Sequence, residues 1–374
     1  MALATSIAHI DVVPRDIPLT EPFAIASGAQ VVCDIALCRV TLASGAVGYG
    51  EAAPFFAVTG ERRDRSLGVM RQLAVDLIGR DAREHAAIGD ALRERALGEP
   101  AARAGLEMAI IDAFARSVGA PIWALHGGAG PRSFSTDITI TAGDVDHGAR
   151  AARSARERGF TTLKVKVGAA DPGFDVARLL RIAEAAPGAA LVVDANEGMS
   201  AQGALALLAE LRRRGVTIAA FEQPVAADDL EGLAEVTRGA GATRVLADES
   251  ARSAADVARI IRSKAAHGIN IKITKCGVRE SVVMWHAARA ASLDLMVGGM
   301  VETEIAMGFS AHLVRGLGGV AFADLDTPFF LGARVAEGGV AFAGPLLEVP
   351  DVAGSGAVPL GDPFGVRPGD SPGR

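Results

Sequence analysis

Cysteine is scarce in this chain, whose 374 residues contain only Cys33, Cys38 and Cys276. No CxxC pair occurs, and an odd number cannot close a complete disulfide framework, so a reducing compartment is expected. Basic residues are also outnumbered. With 38 Lys and Arg against 44 Asp and Glu the formal charge is -6, which argues against a nucleic-acid backbone or an anionic membrane as partner and leaves small molecules. No apolar run reaches the roughly 18 residues of a membrane span. The opening MALATSIAHIDVVPRD lacks a charged segment followed by an apolar one, so the cytoplasm is the expected location. The seven histidines are scattered without HExxH-like spacing, and none is assigned to catalysis or metal binding.

What is present is apolar material for a large core: half the residues are hydrophobic and 22% are charged. The length suits a barrel with an accessory domain. Residues 6–58 alternate apolar and polar positions between Gly and Ser breaks, which predicts antiparallel hairpins. From Glu61 to Ser117 the pattern is helical, clearest at Leu106, Ala109, Ile110, Ala113 and Phe114. After HGGAGPRS come short apolar runs, each followed by a helical stretch: TDITIT, TTLKVKV, ALVVDA, TIAAFEQ, TRVLADES, INIKITK and LDLMVGG. Repeated strand-then-helix units predict a parallel sheet closed into a barrel. The expected division is an α+β capping domain at 1–130, a (β/α) barrel at 131–330, and a segment at 331–374 that returns to the capping domain by a hairpin and ends in a frayed Gly and Pro-rich tail.

Three consecutive barrel strands end in an acid, at Asp194, Glu222 and Asp248. They should meet at the carboxyl-terminal rim, where barrels place their active sites. Three gathered carboxylates repel one another unless a cation joins them, and an all-oxygen set suits Mg²⁺. The alternative is that each acid caps the following helix. Asn196 and Ser250 beside them fit either reading, as turn or cap residues. In TTLKVKV, Lys164 and Lys166 share a face because strand side chains alternate. INIKITK could bring Lys272 to the same cavity from across the barrel. Buried lysines form salt bridges or do chemistry, and a pair facing each other favours chemistry, provided neighbouring positive charge and burial lower their pKa. Asp324 and Asp326 in ADLDTPFF project to one side if extended, which suits a cationic ligand group; a polar turn before Pro328 is the other reading.

KVK, DAN, FEQP, ADES and IKITK, in this order, resemble the enolase superfamily, muconate-lactonizing-enzyme subgroup, over nearly the whole chain. The resemblance implies a (β/α)7β TIM-like barrel with an α+β capping domain that shapes specificity at the barrel mouth. It implies Mg²⁺ held by Asp194, Glu222 and Asp248, Lys166 and Lys272 as the acid/base pair, and Lys164 on the substrate carboxylate. The DLDTP segment is similar to the Asp-x-Asp feature of dipeptide epimerases, so Asp324 and Asp326 would bind a dipeptide's free α-ammonium. Thr59 to Glu61 and Thr139 in TDITI are similar to that group too. The implied activity is inversion of the α-carbon beside the terminal carboxylate by proton transfer between two lysines, with Mg²⁺ making that C–H more acidic. An N-acylamino-acid racemase or o-succinylbenzoate synthase would share the lysines and acids but not need the Asp-x-Asp pair. A cycloisomerase and a non-catalytic ligand-binding barrel are more distant alternatives. Residues 16–38 contain no Lys or Arg. With Phe23, Ile25, Phe55 and Phe56 in the candidate loops, this favours a dipeptide with an apolar or small side chain over Ala-Glu. The sequence leaves open whether the chain forms a homo-oligomer.

Overall fold

The computed structural model describes residues 3–25, 28–96, 98–168 and 171–365, so the tip of the first hairpin and the last nine residues, where the frayed tail was expected, lie outside the described residues. Three antiparallel strands, β1 (Ile7–Ile25), β2 (Gly28–Leu42) and β3 (Val47–Ala52), form the first sheet in that order. Their alternation buries both faces. Ile35 and Leu37 join the core shared with the barrel, while Ala36, Cys38 and Val40 face the capping helices. These are α1 (Phe56–Thr59), α2 (Arg63–Leu77), α3 (His85–Arg95) and α4 (Pro100–Ser117).

Helix α4 lies directly on β3, and glycine permits the approach. A Cβ on Gly48 would sit 2.1 Å from the backbone nitrogen of Ala113, and one on Gly50 would sit 2.2 Å from the carbonyl of Gly105. The expected apolar stripe at Leu106, Ala109, Ile110 and Ala113 packs in the capping core. Met108, Ile111 and Ala115 belong to the barrel-side core, so α4 is buried on both sides and serves as the joint.

Eight parallel strands follow: β5 (Ile138–Ile140), β6 (Thr162–Lys166), β7 (Ala190–Asp194), β8 (Ala220–Glu222), β9 (Arg244–Ala247), β10 (Gly268–Lys272), β11 (Asp294–Gly298) and β12 (Val320–Ala323), after a short strand β4 (Ser133–Ser135). Helices α5 (Val145–Glu157), α6 (Pro172–Ala185), α7 (Ala201–Arg213), α8 (Leu230–Gly239), α9 (Ala254–Ser263), the pair α10 (Ile273–Cys276) and α11 (Val278–Ala290), and α12 (Glu304–Leu317) make the seven crossovers. This is the (β/α)7β TIM-like barrel with an α+β capping domain. The eighth strand, within ADLDTPFF and the residues before it, was not among the seven expected runs. Asp137 N donates to Ala323 O at 2.9 Å, and Leu325 N to Thr136 Oγ1 at 2.8 Å. These bonds join the first strand's approach to the last strand's end and close the ring.

Side-chain alternation sorts the strands' residues. Leu163, Val165 and Val167 pack outward beneath the helices. Val192, Ala220, Leu246 and Met296 fill the interior as one small apolar layer, with the charged residues above it toward the carboxyl ends.

Buried polar contacts hold the two parts together. Glu51 on β3 accepts bonds from Thr303 N, at 2.8 Å, and from Thr303 Oγ1; Glu107 on α4 accepts from Arg279 N at 2.6 Å. Near the carboxyl terminus the short strands Ala341–Ala343 and Leu346–Glu348 form a hairpin that pairs with β4. Gly332 N bonds Pro18 O at 2.7 Å, and Ser355 N bonds Asp112 Oδ1 at 2.6 Å. His312 on α12 donates from Nε2 to Ser355 O at 3.2 Å, and burial pushes its pKa down from 6.5 to about 4. Between those values the unfolded chain takes up a proton that the folded chain refuses. The stability this group contributes is therefore full above about pH 6.5 and lost as pH falls toward about 4, an effect of about 3 kcal/mol. Urea denaturation of the wild type and of His312→Asn across that range should show the wild type losing stability more steeply.

Candidate active site

Five consecutive barrel strands bring charged groups to one rim: Lys166, Asp194, Glu222 and Lys272 end β6, β7, β8 and β10, and Asp248 directly follows β9. Each acid sits two residues beyond an inward apolar residue, Val192, Ala220 or Leu246, so the same alternation aims it inward. None of the three is exposed. They do not cap the helices after them, because Ser200, Asp229 and Ser253 perform that role. Asn196 and Ser250 support the rim instead. Asn196 N donates to Asp194 Oδ1 at 2.9 Å, and Ser250 takes a bond from Gln223 at 2.8 Å. Asn196, Glu197 and Gln223 adopt positive φ angles of 42°, 69° and 32°, local strain of the kind that gathers at functional rims.

The lysines are paired with these acids. Lys166 Nζ lies 2.7 Å from Asp194 Oδ2, and Lys272 Nζ lies 2.8 Å from Asp248 Oδ2. Lys164 Nζ reaches three carboxylates: Asp324 at 2.6 Å, Glu222 at 2.7 Å and Asp194 at 3.2 Å. In the eight-strand order β6 and β10 are four places apart, so Lys166 and Lys272 face each other across the ring. Burial opposes charge on Lys272, but Asp248 and then Glu222 outweigh it and hold its pKa above the ordinary lysine value. This is opposite to the lowering expected from sequence. The reason is that the acids act here as counterions to lysine; a second cation sharing them would reverse the sign.

The acids have the chemistry for a divalent cation: an all-oxygen set, fully buried, with Glu222 Oε2 and Asp248 Oδ2 accepting no hydrogen bond, although each is within ion-pair distance of a lysine. The lysine ammonium groups lie between them. Among the described residues, the acids whose oxygens gather within 4.8 Å of one another are Asp137, Asp324 and Asp326.

Asp324 and Asp326 are turned into the barrel, not into a solvent turn. Asp326 Oδ2 accepts from Thr139 N at 2.5 Å, and Asp324 Oδ2 takes Lys164. Burial and the neighbouring Asp324 push Asp326 up to about 7. Both acids line a small cavity with Thr139, Lys164, Lys166, Asn196 and Lys272. Its volume is about 20 Å³, room for about one water and far too little for a dipeptide. Phe23, Phe55 and Val58 of the capping domain form its apolar cover.

Other sequence expectations fare differently. Phe56 is 56% exposed and carries the Arg62 guanidinium 4.0 Å from its ring centroid, so it does not cover the cavity. Glu61 caps the start of α4 by accepting from Ala101 N at 2.9 Å. A roomier cleft, about 610 Å³, lies outside the cavity among Gln30, Asp34, Phe56, Arg62 and Arg63. Folding thus brings two arginines beside a loop that has no Lys or Arg of its own, but Arg63 pairs with Asp16 and Arg62 stacks on Phe56.

Three residues escaped the sequence reading. Lys275 donates to Asp248 Oδ1 at 2.5 Å, Asp248 O at 2.6 Å and Asn270 O at 3.0 Å; its signal was its position three residues beyond Lys272, one helical turn away on α10. Asn270 donates to Glu222 Oε1 at 2.7 Å, and as the residue two before Lys272 it faces the same interior. Asp137 is two residues before Thr139 and so shares its side.

Comparison with known proteins agrees with this geometry. Residues 7–127 match the mandelate racemase/muconate lactonizing enzyme amino-terminal domain, and residues 147–362 match the enolase C-terminal domain-like family. The aromatic dipeptide epimerase of Herpetosiphon aurantiacus is 45% identical over 354 residues, which span 95% of this chain and 99% of that protein. A crystal structure of a mandelate racemase/muconate lactonizing protein from that organism superposes with a TM-score of 0.93 at 45% identity, covering 96% of this chain and all of that one. The dipeptide epimerase of Enterococcus faecalis V583, in complex with Mg and the dipeptide L-Leu-L-Tyr, superposes with a TM-score of 0.90 at 32% identity, covering 94% and 99%. With both domains matched and the carboxyl ends of the barrel strands carrying the acids and lysines, this chain belongs to the mandelate racemase/muconate lactonizing enzyme family of the enolase superfamily.

Proposed function

We propose that this protein is a magnesium-dependent dipeptide epimerase, an isomerase that inverts the α-carbon beside the terminal carboxylate. One observation carries the reading: two lysines on opposite sides of the ring face the same cavity as the paired acids Asp324 and Asp326. Asp194, Glu222 and Asp248 are the residues that would hold the metal ion. When bound, Mg²⁺ neutralises the charge that develops on the substrate carboxylate as the α-proton leaves. Lys164 adds a positive charge beside that carboxylate. Lys166 and Lys272 lie on the two faces of the α-carbon; one removes the proton and the other returns one to the opposite face. Asp324 and Asp326, with Thr139 fixing Asp326, receive the α-ammonium through charge-assisted hydrogen bonds. An N-acylated substrate brings no such charge, so Asp324 would be left sharing Lys164 with Asp194 and Glu222 and Asp326 would gain no cation, which disfavours the racemase alternative.

The cover formed by Phe23, Phe55 and Val58 must move to admit a dipeptide, and on closing it excludes water from the exchanging proton. Its apolar character supports an apolar side chain on the substrate. The relatives named for aromatic dipeptides and bound to L-Leu-L-Tyr point the same way.

A panel of L,L-dipeptides incubated with protein and Mg²⁺ in D₂O should gain one deuteron with inversion, fastest for apolar side chains. Best turnover of Ala-Glu would remove the side-chain reading, and no uptake from any dipeptide would remove the activity. Lys166→Met and Lys272→Met should each slow epimerisation by about a hundred- to ten-thousandfold. Each should still exchange the α-proton of one epimer, the one whose C–H faces the surviving lysine, as proton NMR would show. Lys275→Met, by freeing Asp248, should weaken Mg²⁺ binding by about 10- to 100-fold in calorimetry while the fold persists by circular dichroism.

A further inference from the structure

Asp137 takes no part in the reaction just described, yet it is 2% exposed and neither carboxyl oxygen accepts a hydrogen bond, while its side chain lies within hydrogen-bond reach of Asp324. A buried carboxylate that accepts no hydrogen bond is strongly unfavourable as an anion, so this position calls for an explanation. Its backbone is bolted to the segment carrying Asp324 and Asp326: Asp137 N bonds Ala323 O at 2.9 Å, while Thr136 Oγ1 accepts from Leu325 N at 2.8 Å. One oxygen from each of Asp137, Asp324 and Asp326 lies within 4.8 Å of the others. Asp324 and Asp326 line the cavity and Asp137 does not, so it stands behind the pair.

Three ionised carboxylates at this spacing are incompatible with the charge available. Lys164 Nζ is the ammonium at hand, bonded to Asp324 and shared with Asp194 and Glu222. Burial first, then the charges of Asp324 and Asp326, push Asp137 well above the usual carboxylate range. A carboxylic acid has one O–H to donate, and the acceptors beside it are the neighbouring carboxylates. An O–H···O⁻ bond is short, strong and directional.

We propose that Asp137 is a positioning residue of the amine-binding pocket: its carboxyl O–H donates to Asp324 from behind and fixes the direction in which that carboxylate meets the substrate's α-ammonium. This rests on the dipeptide reading above and adds to it the charge state of the pocket. The proton on Asp137 removes one negative charge from the cluster, so Asp324 and Asp326 face the substrate amine and Lys164, which Asp194 and Glu222 share, without a third carboxylate repelling them. The pocket is thereby matched to a free primary amine and mismatched to an N-acyl group.

The test compares the wild type with Asp137→Asn, which keeps an N–H donor in the same shape, and Asp137→Ala, which keeps none, in the Mg²⁺-loaded enzyme. Asp137→Asn should hold KM for the dipeptide within about threefold of wild type. Asp137→Ala should raise KM by about tenfold or more with a much smaller change in kcat, and should narrow the preference for the free dipeptide over its N-acetyl form. Asp137→Asn raising KM as much as Asp137→Ala, or Asp137→Ala leaving KM unchanged, overturns the inference. If Asp137→Ala fails to fold, the infrared difference between wild type and Asp137→Asn decides: loss of a protonated-carboxyl C=O band supports the assignment, and its absence from the wild type refutes it. A wild type that epimerises no dipeptide would sink the underlying reading instead, and this band would still report the proton on Asp137.

Discussion

Four lysines and three carboxylates are buried together at the carboxyl ends of the barrel strands: Lys164, Lys166, Lys272 and Lys275 with Asp194, Glu222 and Asp248. A buried charge without a partner is strongly destabilising, so the seven must be held at ion-pair distance. Much of the surrounding structure serves that requirement. Asn270 and Asn196 bond the acids, and Gln223, in a left-handed conformation, accepts from Asp248 N at 2.8 Å. The same shell that contains the repulsion also fixes where each charge points.

The charges also require a cover, since water would weaken every interaction among them. The capping domain supplies it through α4, which packs in two cores at once, and through buried polar cross-links. Arg103 on α4 bonds Cys276 O at 3.1 Å, just beyond Lys275, and Glu51 bonds Thr303 at the start of α12. The apolar cover at Phe23 and Phe55 is therefore attached to the elements that carry the lysines. Burial pushes Glu51 up to about 8, and its two bonds from Thr303 act against that rise.

Particular residues show what could be read in advance. Lys164 and Lys166 were assigned to one face because a strand repeats every two residues, and the acids ending three consecutive strands were legible for the same reason. Asp137 obeys the same rule relative to Thr139, but an acid just before a strand looks like any loop residue until the last strand's end is folded against it. Lys275 was hidden by a change of period, because the chain passes from β10 to α10 between Lys272 and Lys275. Phe56 adds to the apolar character of the candidate loop in the sequence, but α1 turns it outward, where Arg62 stacks on it.

By itself the sequence determined the alternation of strands and helices, the acids and lysines at the strand ends, and the family to which their order belongs. These are properties of local period and chain order. Tertiary structure alone decided that Lys166 and Lys272 stand on opposite sides of one cavity, that Lys164 is shared among three carboxylates, and that Asp137 backs the Asp324 and Asp326 pair. Those relations join residues as many as 189 positions apart, as Asp137 and Asp326 are, between segments brought together only by closure of the barrel, and no local pattern encodes the distance between them.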